Sequence, residues 1–133
     1  MTTETRATTT QIMHATCYKI VIPNWLPARL NQNRGHWSKF ARLKRIDRDL
    51  VAVYARPFPL ATGKRSVRLV VTLSGPGREP DPDSFWKSLL DALVAAKMLI
   101  DDSRKWCALE PVEFRRGPAR STCIELTDME ATP

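Results

Sequence analysis

Cysteine is scarce in this 133-residue chain, which has only Cys17, Cys107 and Cys123. An odd number with no CxxC pair gives neither a disulfide framework nor a zinc-site spacing, and fits a reducing compartment. Long apolar runs are missing as well. No stretch approaches the roughly eighteen residues of a membrane-spanning helix, and the N-terminal residues lack the apolar core of a secretory signal. The expectation is a cytoplasmic protein with no membrane partner and no small-molecule organic cofactor. There are no internal repeats. The length suits a single domain able to bury a core, and 43% hydrophobic residues place it in the globular class.

Charge is abundant and unevenly spread. Twenty-one Lys and Arg outweigh fourteen Asp and Glu, for a net +7, which suits a polyanionic partner. Six of the acids (Glu79, Asp81, Asp83, Asp91, Asp101 and Asp102) lie between residues 79 and 102, with only Lys87 and Lys97 as bases. That segment carries −4 and the rest of the chain +11. The acids of a basic protein are gathered in one place.

Threonine fills six of the first ten positions without periodicity, so residues 1–14 read as a disordered lead-in. The ordered domain is expected over 15–128, with a short tail at 129–133. A β-rich run, Cys17 to Ile22, stops at Pro23. From Ser38 to Arg56 the period becomes helical, with Phe40, Leu43, Ile46, Leu50 and Val53 as the apolar face. Pro57 and Pro59 end that helix. Ser66 to Ser74 alternates as a strand, and the Gly75–Pro80 stretch is a loop. A second helix is expected from Asp83 to Ala96, with Asp81 or Asp83 as N-cap. Two strands follow, Arg104–Arg115 (interrupted by Pro111) and Ser121–Asp128, joined by a Gly117-Pro118 turn. This β-α-β-α-β-β order predicts an α+β domain, its helices packed on one mixed or antiparallel sheet.

The acidic segment carries the chemistry. On one helix, Asp83, Lys87 and Asp91 step by four, drifting only about 40° each time, and so share a stripe. Asp81 stands at the entrance, and Asp101-Asp102 lie past the far end, where a returning chain brings Asp102 towards that stripe. Clustered carboxylates repel, and a hard divalent cation such as Mg²⁺, with Mn²⁺ as substitute, relieves the repulsion. Such an ion polarises a phosphoryl oxygen and activates water, while a neighbouring lysine stabilises the added negative charge. The alternative is structural: Asp81 and Asp83 as helix caps, and Asp83–Lys87–Asp91 as an exposed ion-pair ladder.

Asp81-Pro82-Asp83-Ser84, Lys87, Asp91-Ala92-Leu93 and Asp101-Asp102 resemble the signature of the RusA family of Holliday junction resolvases, with every spacing kept. The β-rich run ending in proline, then Asn31, Arg34, His36-Trp37 and a basic helix, is similar to the family's layout. The resemblance implies a Mg²⁺-dependent homodimeric endodeoxyribonuclease that resolves four-way junctions by paired nicks in DNA recombination and repair. It implies metal-holding carboxylates at Asp81, Asp83 and Asp102, a catalytic amine at Lys87, and further acidic positions at Asp91 and Asp101. A bacterial or phage-infected cell is the implied setting. Two positions depart from the family pattern. Ser84 stands in place of the usual Asn, and Lys97 where a Gly ends the helix.

Arg29, Arg34, Lys39, Arg42, Lys44, Arg45 and Arg48 fall within twenty residues and suit phosphates, with Asn31 and His36 as further DNA contacts. Read structurally, the same residues form a solubilising face. Trp25, Trp86 and Trp106 read as core or interface aromatics, and the cysteines as small buried strand residues, none of them a nucleophile. The rival reading of the whole chain is a non-catalytic basic DNA-binding protein with a structural or partner-binding acidic helix.

Overall fold

Tyr18, Ile20 and Ile22 are buried while Lys19 and Val21 between them are exposed, the two-residue period of a strand with one face on a core. In the computed structural model, which describes residues 7–12, 15–29 and 37–129, this run lies in the second of six strands. In chain order the elements are β1 (Ala7–Ile12), β2 (Ala15–Pro23), α1 (Trp37–Ala55), β3 (Arg65–Leu73), a 3₁₀ turn (Pro82–Phe85), α2 (Trp86–Ala95), β4 (Cys107–Leu109), β5 (Glu113–Arg116) and β6 (Ser121–Asp128). The two helices pack on a single mixed sheet, an α+β domain.

The sheet order is β1-β2-β6-β3-β4, with β5 also on β3. β6 lies antiparallel between β2 and β3, so Ile124 faces Ile20 on one side and Leu69 on the other. β4 and β5 run parallel to β3, a geometry that needs the long crossover which α2 supplies. Pro111 has no N–H to give a ladder, and it falls in the gap that separates β4 from β5. The expected order therefore holds from β2 onward, with the first closing strand in two pieces.

The lead-in expected over 1–14 is corrected in part. Ala7–Ile12 pairs antiparallel with β2, from Ala7 opposite Ile20 to Ile12 opposite Ala15. Threonines that lack a hydrophobic period still suit a pleated edge once a neighbouring strand supplies the hydrogen bonds. Residues 1–6, 13–14 and 130–133 lie outside the described residues, but Met129 of the expected tail donates its N–H to the Lys64 carbonyl.

Helix α1 needs a second correction. Of its expected apolar face, Ile46 and Val53 are 51% and 49% exposed, and the wholly buried positions are Asp47, Val51 and Ala55. The buried stripe lies one residue round from the hydrophobic pattern, because an aspartate occupies its centre. α2 meets the sheet as expected. Phe85, Leu89 and Leu93 are fully buried, together with Val67, Leu69, Val71, Ile124 and Leu126. Each such side chain contributes about 1.5–3 kcal/mol relative to exposure. On the far side of the sheet Arg68 pairs with Glu113 and Glu125, and Arg115 also holds Glu113.

Candidate functional site

The acidic segment enters α2 through a tight turn. The Asp81 carboxylate accepts the Asp83 N–H at 3.0 Å, capping the 3₁₀ turn, and its carbonyl accepts from the Ser84 N–H and, at 2.6 Å, from the Ser84 hydroxyl. Asp81 and Asp83 are exposed, and Ser84 is buried. Ser84 thus spends its hydroxyl on the turn. The expected helix start at Asp83 is corrected: residues 82–85 are 3₁₀ and the α-helix begins at Trp86, so the four-residue stripe starts with Lys87. Pro82 at the turn's first position fits this tightening.

Lys87 is exposed on α2. One turn on, Asp91 is half-buried and pairs with Lys44 of α1, Nζ to Oδ2 at 2.7 Å. α2 then ends in a Schellman motif. The Lys97 N–H bonds the Val94 carbonyl at 3.0 Å and the Met98 N–H the Leu93 carbonyl at 2.9 Å, with Lys97 at φ 62°. Lys97 thus adopts the left-handed conformation that glycine takes freely. The buried Arg65 guanidinium, 1% exposed, then fixes the exit. It donates to the carbonyls of Met98 (2.9 Å) and Pro59 (3.0 Å) and to the Asp128 carboxylate (2.7 Å), and lies over the Tyr18 ring.

Beyond this anchor, Asp101 and Asp102 are exposed. With Asp91, Val94, Ala95 and Arg48 they line an open cavity of about 340 Å³. Asp83 lines a different cavity, of about 470 Å³, with Pro82, Trp86, Leu109, Glu110, Pro111 and Val112. The fold therefore gathers Asp91, Asp101 and Asp102 at one cavity, while Asp83 lines a second and Asp102 also lines a third, with Leu109 common to these last two. The donors are hard carboxylate oxygens, the kind Mg²⁺ takes. Among the described residues, however, no group of three or more His, Cys, Asp or Glu is arranged to hold a metal ion.

Of the basic surround, Lys39, Arg42, Arg45 and Arg48 are exposed along α1, and Arg29 ends the described part of the loop after β2. Asn31, Arg34 and His36 lie outside the described residues. Trp25 is buried, whereas Trp86 and Trp106 are half-buried. Cys17 and Cys107 are buried in strands. Burial pushes the Cys123 thiol up to about 11 and the Cys107 thiol up as well, so neither is a ready nucleophile.

The sequence reasoning missed Asp47. It is 3% exposed, and its carboxylate accepts the Trp25 indole N–H at 2.9 Å, the Ala28 N–H at 2.7 Å and the Ser88 hydroxyl at 2.8 Å. Burial raises its pKa, and the three donors pull the other way. One signal was available: Asp47 stands four residues from both Leu43 and Val51, within the helical period. Searches against models of known protein families and against curated proteins find no match to this chain.

Proposed function

We propose that this protein is an endodeoxyribonuclease of branched DNA, similar to the RusA resolvases, which nicks four-way junctions as a homodimer. The cavity lined by Asp91, Asp101, Asp102 and Arg48 carries the reading. It juxtaposes carboxylates with a phosphate-binding cation, on a chain that is +11 outside its acidic segment. Arg29, Lys39, Arg42, Arg45 and Arg48 hold backbone phosphates, and Lys87 stabilises charge on the phosphate being cut. Asp81, Asp83 and Asp102 are the proposed Mg²⁺ ligands, and a bound ion supplies a polarised phosphoryl oxygen and an activated water. Two matched nicks require two symmetric sites, hence the dimer.

Asp83 and the Asp101-Asp102 pair line different cavities, which favours a second reading, a basic DNA-binding protein without catalysis. One experiment separates the two. Purified protein is incubated with a synthetic four-way junction and Mg²⁺, beside Asp83→Asn and Asp102→Asn variants and a linear duplex. Metal-dependent nicking by the wild type, lost in both variants, is expected. Binding without nicking across several junction sequences selects the second reading. Equal cutting of duplex and junction keeps a nuclease and rejects the resolvase.

A further inference from the structure

The loop that leaves β2 is tied at several points. Asn24 donates its N–H to the Arg120 carbonyl at 2.9 Å, and the Trp25 carbonyl accepts the Thr122 hydroxyl of β6 at 2.7 Å. The Trp25 indole and the Ala28 N–H then converge on Asp47 of α1, and Ser88 of α2 reaches the same carboxylate. Both oxygens are used, Oδ1 by Trp25 and Oδ2 by Ala28 and Ser88. No ion pair to Asp47 occurs among the described residues.

The neighbours of these four residues give the arrangement its meaning. Arg29 follows Ala28, Lys87 precedes Ser88, and Lys44 and Arg48 flank Asp47 within one turn of α1. Lys44 holds Asp91, and Arg48 lines the cavity of Asp101 and Asp102. A buried carboxylate is a costly way to join three segments, because apolar side chains of similar size stabilise as well or better. Directional bonds fix distance and angle, which apolar contacts do not.

We infer that Asp47 is a positioning residue for DNA binding: it sets the Arg29 loop, the face of α1 and the Lys87 helix at one fixed separation, so that all three meet one stretch of phosphates. The inference rests on the nuclease reading above. Loosening Asp47 leaves the sheet intact and lets the Arg29 loop drift from α2.

The test uses the full-length wild type, Asp47→Asn, Ser88→Ala, Arg29→Ala and the Asp47→Asn/Arg29→Ala double variant. Each is titrated with a synthetic four-way junction in EDTA, and backbone hydrogen exchange is followed in parallel. Asparagine removes the charge that strengthens all three bonds and turns one acceptor oxygen into a donor, which faces either the Ala28 N–H or the Trp25 indole N–H. Exchange at Ala28 should quicken at least about tenfold while Ile20, Leu69 and Ile124 stay protected. Junction affinity should fall about tenfold in Asp47→Asn and less in Ser88→Ala. Arg29→Ala should weaken the wild type and add little in the Asp47→Asn background.

Fully additive effects, or wild-type affinity in a variant whose Ala28 amide has loosened, overturn the inference and leave the nuclease reading standing. A wild type that does not bind the junction overturns both. If Asp47→Asn fails to fold, Ser88→Ala decides: unchanged affinity with faster Ala28 exchange overturns the inference, and weakened affinity supports it.

Discussion

Lys44 reaches from α1 to Asp91 of α2, with Nζ and Oδ2 2.7 Å apart, and so joins the basic helix to the acidic one. The pair is half-buried, and the other acids of its cavity, Asp101 and Asp102, lie close by. Lys44→Ala should cost up to about 1 kcal/mol in the absence of divalent ions. The loss leaves Arg48 as the base among the residues lining the cavity of these carboxylates, so Mg²⁺ should raise Tm more in the variant than in the wild type. Thermal melts with and without Mg²⁺ measure this. An identical Mg²⁺ response in both proteins argues against shared repulsion at the cavity.

Lys97 holds a left-handed conformation that glycine adopts freely. Lys97→Gly should stabilise the fold by about 1 kcal/mol, and Lys97→Val should destabilise it by more than that. Urea denaturation with an unchanged m-value would read out both.

Arg65 is buried and donates to three acceptors on three segments. A lysine ammonium cannot reproduce that planar fork. Arg65→Lys and Arg65→Met should each lose about 3 kcal/mol, since the carbonyls of Pro59 and Met98 are left without their donor. Equilibrium unfolding tests the size of the loss. Faster hydrogen exchange over residues 98–102 than in β6 tests its location.

The pKa of Asp47 is raised in the folded state, chiefly by burial. The folded protein therefore keeps its proton to a higher pH than the unfolded chain does. Its contribution is fully present below the ordinary carboxylate pKa and is lost as pH rises through the folded value. The stability difference between wild type and Asp47→Asn should accordingly shrink from about pH 4 upward. Denaturant midpoints measured for both proteins across that range would show it. A difference that grows with pH would mean that the three donors outweigh burial.

The strands and the packing of α2 on the sheet were legible because hydrophobic alternation and helical spacing report burial directly. Tyr18, Ile20 and Ile22 in β2, and Leu89 and Leu93 in α2, obey that logic. The face of α1 was legible only in part: Leu50 packs against the core, but the buried centre is a carboxylate whose three partners come from the loop after β2 and from α2. No local pattern shows that Trp25 and Ser88 will converge on Asp47. β1 was hidden for a related reason, because Thr8, Thr9 and Thr10 gain a strand's hydrogen bonds only through the register with β2. In the acidic segment a cap at Asp81 or Asp83 was legible, and the structure gives it to Asp81, on the 3₁₀ turn ahead of α2. The pairing of Asp91 with Lys44 depends on how α2 lies on α1, which spacing along one chain does not encode.

Through Arg65, the segment after α1 and the segment after α2 are cross-linked without a covalent bond. Its two end amines grip the carbonyls of residues 59 and 98 much as a disulfide would clasp two distant loops, while all three cysteines stay free. The bonds of the clasp run from nitrogen to oxygen and involve no thiol. The hold on residues 59 and 98 is therefore indifferent to the thiol balance of its surroundings, whereas the turn at Asp102, whose carbonyl accepts the Cys107 thiol at 3.3 Å, is not.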